Sequence, residues 1–239
     1  MRIAGIIARW TRFWRDELSG LATVEFAMCL PVLLLAGGYG IELANYAVVN
    51  LRVCQVALSL ADNASRVGLM GSLSVVQLRE SDLNDVLQAA RLQGNSIDLT
   101  VHGRITLSSL ENVQQSFDSG PVQRIHWQRC IGVRSGADYD SSYGTTAITN
   151  GIAATQAAAG TVLSAGMGDT GFKVNAPTGS SVMFVEVNYD YQRLFGSMFM
   201  GPRKIHEVAS LIVRDRRDFT QLYNPSPAAT RATCDKHEI

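Results

Sequence analysis

The side chain with the most unusual setting in this sequence is a carboxylate. Glu25 stands in a run, residues 21–41, that is apolar except for Thr23 and Glu25 itself. A charged residue at the centre of a membrane-spanning helix costs about 2.5–3.5 kcal/mol on insertion scales, and charges kept there usually have a function. We therefore take Glu25 as the first functional candidate.

The four cysteines form two groups. Cys29 and Cys54 lie on the apolar run and its continuation. They are too far apart on one helix to pair, so we expect small apolar fillers. Cys130 and Cys234 lie in the region that we place outside the cytoplasm, where they can form a disulfide. Closing a loop of about 100 residues would stabilise the fold by up to about 4–5 kcal/mol in the entropy model. The alternative is a pair of free or intermolecular thiols.

The remaining reactive side chains show no catalytic pattern. Residues 138–144 begin like a calcium-binding loop, but the glycine falls one position late and Thr149 replaces the closing glutamate. No nucleophile elbow, phosphate-binding loop or Cys-x-x-Cys pair is present. The four histidines lack metal-ligand spacing: His102, His126, His206 and His237. We expect no metal, no cofactor and no catalysis.

Charge predicts the orientation of the chain in a membrane. Lys+Arg and Asp+Glu are both 21, so nothing favours nucleic acid as a partner. The local balance is uneven, because residues 42–65 contain one basic residue, Arg52. The segment before the apolar run contains Arg2, Arg9, Arg12 and Arg15. Positive flanks stay in the cytoplasm, so we expect the N-terminus inside and the rest of the chain outside.

The apolar run must be positioned by a long helix. About 20 residues span the hydrocarbon core, and residues 21–41 meet that minimum. We predict that the helix continues to about Val67 with one apolar stripe: Val49, Val53, Val56, Leu60, Ala64 and Val67. We favour an apolar helix that is retained as a membrane anchor over a removed signal peptide or a buried core helix.

Two features inside the span bear on its packing. Pro31 removes one helical hydrogen bond and predicts a kink. The glycines Gly37, Gly38 and Gly40 would let another helix approach closely, or would simply add flexibility.

Downstream, the pattern predicts an α+β fold. A second short helix covers 82–92, with Ser81 as its cap and Gly94 at its end. Alternation predicts an antiparallel four-stranded sheet. Its strands would be 97–107, 123–133, 181–195 and 204–214, the last as an inner strand. Residues 134–180 form a long irregular loop, which is usually functional or mobile.

The most specific motif is residues 20–26. A small residue, Gly20, is followed after four residues by Glu25 and Phe26, between a charged leader and the span. This resembles the processing site of type IV-like prepilins in the variant form of the Tad/Flp pilus system. The resemblance implies that a prepilin peptidase cuts between Gly20 and Leu21. Glu25, the fifth mature residue, would then pair with the new ammonium of Leu21 in the same or a neighbouring subunit.

The resemblance narrows to TadE/TadG-like pseudopilins and covers about residues 12–215. It rests on 22–27, followed by LPVLLL, and on WQRCIG (127–132), GMGDTG (166–171), MFVEV (183–187) and YDYQRLF (189–195). The family commonly has proline where this chain has Arg193. The resemblance implies a pilin-like sheet and three parts: a cleaved cytoplasmic leader (1–20), a transmembrane and amphipathic helix (21–68) and a periplasmic domain (69–239).

The same resemblance implies a single-pass protein of the bacterial inner membrane that acts as a minor pilin in Tad/Flp pilus assembly. Implied partners are the prepilin peptidase, the major Flp pilin, other pseudopilins, the inner-membrane platform proteins with their ATPase, and membrane lipid. Two alternatives stay open. One is a membrane-anchored periplasmic binding or adhesion protein with an uncleaved anchor, which uses loop 134–180 for contact. The other is an anchored periplasmic hydrolase without a familiar motif.

Overall fold

A computed structural model describes the backbone of residues 3–70 and 75–238, and the side chains of residues 20–68 and 75–238. The leader arginines that predict orientation therefore lie outside the described side chains. Helix α1 (Ile3–Arg66) runs unbroken through Gly20 and Pro31. The chain divides into two compact units. We call residues 1–46 with 193–201 the helix unit, and residues 47–192 with 202–239 the sheet unit.

The main sheet of the sheet unit has five antiparallel strands in the described chain, one more than predicted. The strands of this sheet are β3 (Gly103–Val113), β4 (Val122–Ile131), β5 (Thr161–Val162), β6 (Ser180–Asp190) and β7 (Lys204–Ile212). Their order is β5-β4-β3-β6-β7. The extra strand, β5, has two residues, which is too short to show a period of two. Strand β7 was predicted to be an inner strand, but among the described strands it lies at the sheet edge and pairs with β6.

Two short strands, β1 (Leu69–Met70) and β2 (Val76–Gln77), pair with each other after α1. Helix α2 (Glu80–Gly94) confirms the predicted second helix. Its predicted cap, Ser81, is wrong, because the carboxylate of Asp82 accepts the Arg79 N–H at 3.0 Å and closes the first turn. Asp82, the third helical residue, thus satisfies the backbone N–H of Arg79, which has no partner within the helix.

The prediction for 97–107 is wrong in its first half. Residues 95–97 form a 3-10 turn, and α3 (Leu99–His102) is a single helical turn. A segment of four residues is too short to distinguish a helix from a strand by its period. Both structures would bury Leu99, so the alternation did not predict the helical turn. The strand begins at Gly103, where a side chain would lie 2.4 Å from the carbonyl oxygen of Asn188. Only glycine therefore allows β3 to pair closely with β6 at this point.

The sheet is covered on both faces. On one face, loop 134–180 packs Met167 and Ala176 into a core cluster with sheet residues Leu110, Ile125, Val182 and Phe184. On the other, Glu80 of α2 bonds Arg129 of β4, and the Tyr189 hydroxyl donates to the carbonyl of Ile97 at 2.8 Å. The apolar stripe of α1 is buried from Val49 to Ala64. A hydrogen bond of 2.9 Å from Gln93 to Ser59 joins α2 to α1.

A bulge in β4 changes which side chains share a face. The pairing passes from Ser109–Trp127 to Leu110–Ile125, so His126 has no partner residue. Strict alternation along the predicted strand 123–133 would place Ile125 and Trp127 on one face. They lie on opposite faces, because their partners are consecutive residues of β3.

Candidate functional site

The candidate site is the first part of α1, in the helix unit. All residues from 20 to 37 are exposed. The helix from Gly20 to Arg66 contains a window of mean hydropathy 1.9, none of which is buried. A helix that is apolar all round belongs in a protein core or in a membrane. Within the described chain this segment is exposed, so by length and composition it is a candidate membrane anchor.

The motif residues occupy consecutive turns of this exposed helix. Leu21 and Phe26 are 57% and 62% exposed, and Gly20 and Glu25 are also exposed. Leu21 and Glu25 are four residues apart, so they share one side of the helix at about 6 Å along its axis. A side chain at Gly20 would meet nothing within 4 Å. Packing in this chain therefore does not require glycine at position 20.

A second carboxylate of α1, Glu42, was missed by the sequence analysis. Its side chain is fully buried and accepts hydrogen bonds from the backbone N–H groups of Leu194 (3.3 Å) and Phe195 (3.1 Å). The signal in the sequence was a polar residue directly after the apolar run, together with an unusually apolar stretch at 194–200. Nothing in the local sequence relates two segments that are about 150 residues apart.

Of the three glycines in the span, one has a packing role in this chain. A side chain at Gly38 would lie 2.6 Å from the ring of Phe199, whereas side chains at Gly37 and Gly40 would meet nothing within 4 Å. The Phe199 ring in turn meets Phe195 edge-on at 5.4 Å. Gly38 thus leaves room for the ring of Phe199 from the same chain, whereas the sequence suggested that another helix would pack there.

The structure joins Cys130 and Cys234 in a disulfide across 104 residues. Beside it, the buried guanidinium of Arg104 donates to the carbonyls of Gly132 (3.1 Å) and Lys236 (3.3 Å). The C-terminal tail is thus fixed to β3 and β4 by one covalent bond and several hydrogen bonds. Cys29 is exposed and Cys54 half-buried, so neither fills the core of this chain.

Two charged pairs of the sheet unit are buried. His126 and Glu111 are hydrogen-bonded at 2.8 Å, and Arg129 and Glu80 form a second pair. The cavity beside His126 and Glu111 has a volume of about 10 Å³, room for about one water molecule. In the part of the chain that the structure describes, no group of three or more His, Cys, Asp or Glu could hold a metal ion. These pairs hold strands and helices together.

Comparisons of the chain with protein-family models, with curated proteins and with solved structures give no match. The resemblance of the N-terminal motif to prepilins therefore remains a prediction from the residues.

Proposed function

We propose that this chain is a minor pilin or pseudopilin of the TadE-like kind, anchored in the bacterial inner membrane and active in Tad/Flp pilus assembly. A prepilin peptidase removes residues 1–20 by cutting after Gly20. The mature protein begins at Leu21, and its sheet unit lies in the periplasm. It acts by assembly with other pilin helices and catalyses no reaction.

One observation carries this proposal: α1 changes its surroundings along its length. From Val49 to Ala64 one stripe is buried in the sheet unit, whereas every residue from 20 to 37 is exposed. Between Leu21 and Leu35, nine large apolar side chains are exposed. Burying one such side chain contributes about 1.5–3 kcal/mol, so this segment requires lipid or other apolar helices around it. A pilin subunit uses lipid before assembly and neighbouring helices after it.

The position of Glu25 fits cleavage after Gly20 followed by assembly with neighbouring helices. In lipid its carboxylate lacks water, and cutting at Gly20 creates an ammonium group on Leu21. Because the two residues are four apart on one side of the helix, the charges are within reach in one subunit. Leu21 and Glu25 are also exposed, so a neighbouring subunit could supply the partner charge instead. Pairing offsets part of the desolvation cost of each charge.

A Glu25→Gln variant tests this role. We expect the peptidase to cut it, because Gly20 is unchanged, and we expect few or no pili to incorporate it. Glu25→Asp, which keeps the charge, is the matched control and should restore much of the incorporation. Normal incorporation of Glu25→Gln would remove the role given to this carboxylate.

The second candidate is a periplasmic binding or adhesion protein whose anchor is never cut. The observation that favours it is that α1 continues without a break across Gly20. The two candidates differ in the N-terminus of the mature protein.

A further inference from the structure

The segment between β6 and β7 contains an exposed apolar loop. Residues 193–201, which we call the apolar loop, belong to the helix unit together with the first part of α1. Leu194, Phe195 and Met198 are 56%, 42% and 72% exposed. Soluble surfaces seldom keep large apolar side chains together in this way, and such patches mark contact sites.

The loop is held on α1 by two specific contacts. The Phe199 ring lies on Gly38, where any side chain would collide with it. One turn later, the buried carboxylate of Glu42 accepts the N–H groups of Leu194 and Phe195. Two hydrogen bonds from adjacent backbone donors to one buried carboxyl group hold the loop against the helix. The loop is therefore fixed at this level of the helix, and its apolar tip is left uncovered.

The position of these contacts along α1 determines whether the tip of the loop lies near lipid or in water. A span that starts at Leu21 needs about 20 residues, so it leaves the hydrocarbon region near residue 40. Gly38 and Glu42 lie on either side of that point. The apolar loop thus sits where the helix leaves the membrane, in the same unit as the exposed residues 20–37. Glu42 is shielded from lipid at this boundary because the loop covers it.

The composition of the loop favours lipid over a protein partner. Its exposed tip carries Leu194, Phe195 and Met198 and no charged side chain. Arg193 and Arg203 flank the loop at its two ends. Aromatic residues with basic flanks are typical of the membrane–water interface, where the ring enters the acyl boundary and the cations reach lipid phosphates.

We infer that the apolar loop is a second membrane contact, which inserts its tip into the outer-facing leaflet beside α1. The inference rests on the proposed anchor and adds to it. Through Gly38 and Glu42 the inserted loop holds the helix at a fixed depth in the membrane.

Spin labelling of the full chain in phospholipid vesicles tests the inference. In a background with Cys29→Ala and Cys54→Ala, the disulfide stays intact and single cysteines are added by Met198→Cys or Leu34→Cys. Collisions of each label with oxygen, which concentrates in lipid, are compared with collisions with a water-soluble nickel complex. Spin-labelled lipids of known depth calibrate the scale. We expect both labels to prefer oxygen, with the label at position 198 shallower than the label at 34.

The outcomes separate the inference from the anchor on which it rests. A label at 34 in lipid with a label at 198 in water overturns the inference and leaves the anchor intact. A label at 198 that is shielded from both reagents overturns it in favour of a protein contact. A label at 34 in water overturns both proposals.

A glycine pair supplies the matched control. Gly38→Val should push Phe199 off the helix, so the label at position 198 should lose its preference for oxygen. Gly37→Val adds the same side chain where nothing lies within 4 Å, and it should leave that preference unchanged. Equal effects of the two substitutions would contradict the assigned role of Gly38.

Discussion

His126 Nδ1 lies 2.8 Å from Glu111 Oε2, and both side chains are buried between strands β3 and β4. Burial lowers the pKa of His126, and the adjacent Glu111 carboxylate raises it through its charge and its hydrogen bond. Arg124 and Arg129 oppose this rise, yet the pKa of His126 remains above its ordinary value. The bulge in β4 creates the pair, because it leaves His126 without a backbone partner residue.

The pair makes stability depend on pH. Since the folded state raises the pKa of His126, the contribution is complete below the unfolded pKa of about 6.5 and is lost as pH rises through the folded pKa. We compare the free energy of unfolding of the detergent-solubilised wild type with that of His126→Gln. The excess stability of the wild type should be larger at pH 5.5 than at pH 8. A difference that stays constant over this range would contradict the charged pair.

Arg217 closes the C-terminal end of α1. Its buried guanidinium donates to the carbonyl oxygens of Val67 (2.8 Å), Ala64 (3.3 Å) and Ser65 (3.4 Å). Removing it leaves buried acceptors without donors and takes a cation from the negative end of the helix dipole. Arg217→Met should lower the free energy of unfolding by about 1–3 kcal/mol in denaturant titrations. The exposed neighbour Arg216→Met is the matched control, and equal losses would refute the capping role.

The disulfide between Cys130 and Cys234 closes a separation of 104 residues. Replacing both cysteines by serine should lower the free energy of unfolding by about 2–5 kcal/mol. A reducing agent should destabilise the wild type to a similar extent and leave the double serine variant unchanged. The matched control, Cys29→Ala with Cys54→Ala, should respond to reductant like the wild type. A wild type that is insensitive to reductant would show that the two thiols are not bonded.

Long, regular patterns predicted the fold well. The stripe from Val49 to Ala64 and the helix at 80–94 follow from spacing, and the long strands β4 and β6 follow from alternation. Short elements were missed or mistaken, because α3 and β5 have four and two residues, too few to show a period. The position of β7 at the sheet edge depends on pairing, which its own sequence does not contain.

The burial of charged residues in the sheet was also not predicted. Arg104 and Glu186 alternate with apolar residues, which predicts a solvent-facing side. They are buried because loop 134–180 and the helices cover both faces of the sheet. In the candidate site, the exposed Glu25 could be found from its local sequence. The burial of Glu42 could not be predicted, because its partners are the backbone groups of a distant loop.

The N-terminus of the mature protein tests the central proposal most directly. The chain should be expressed with its prepilin peptidase, purified from membranes, and analysed by intact mass and N-terminal sequencing. We expect the wild type to begin at Leu21, the Gly20→Val variant to keep the leader, and Gly37→Val to be processed like the wild type. Wild-type protein that keeps residues before Leu21 in the presence of active peptidase would contradict the account and favour an uncleaved anchor.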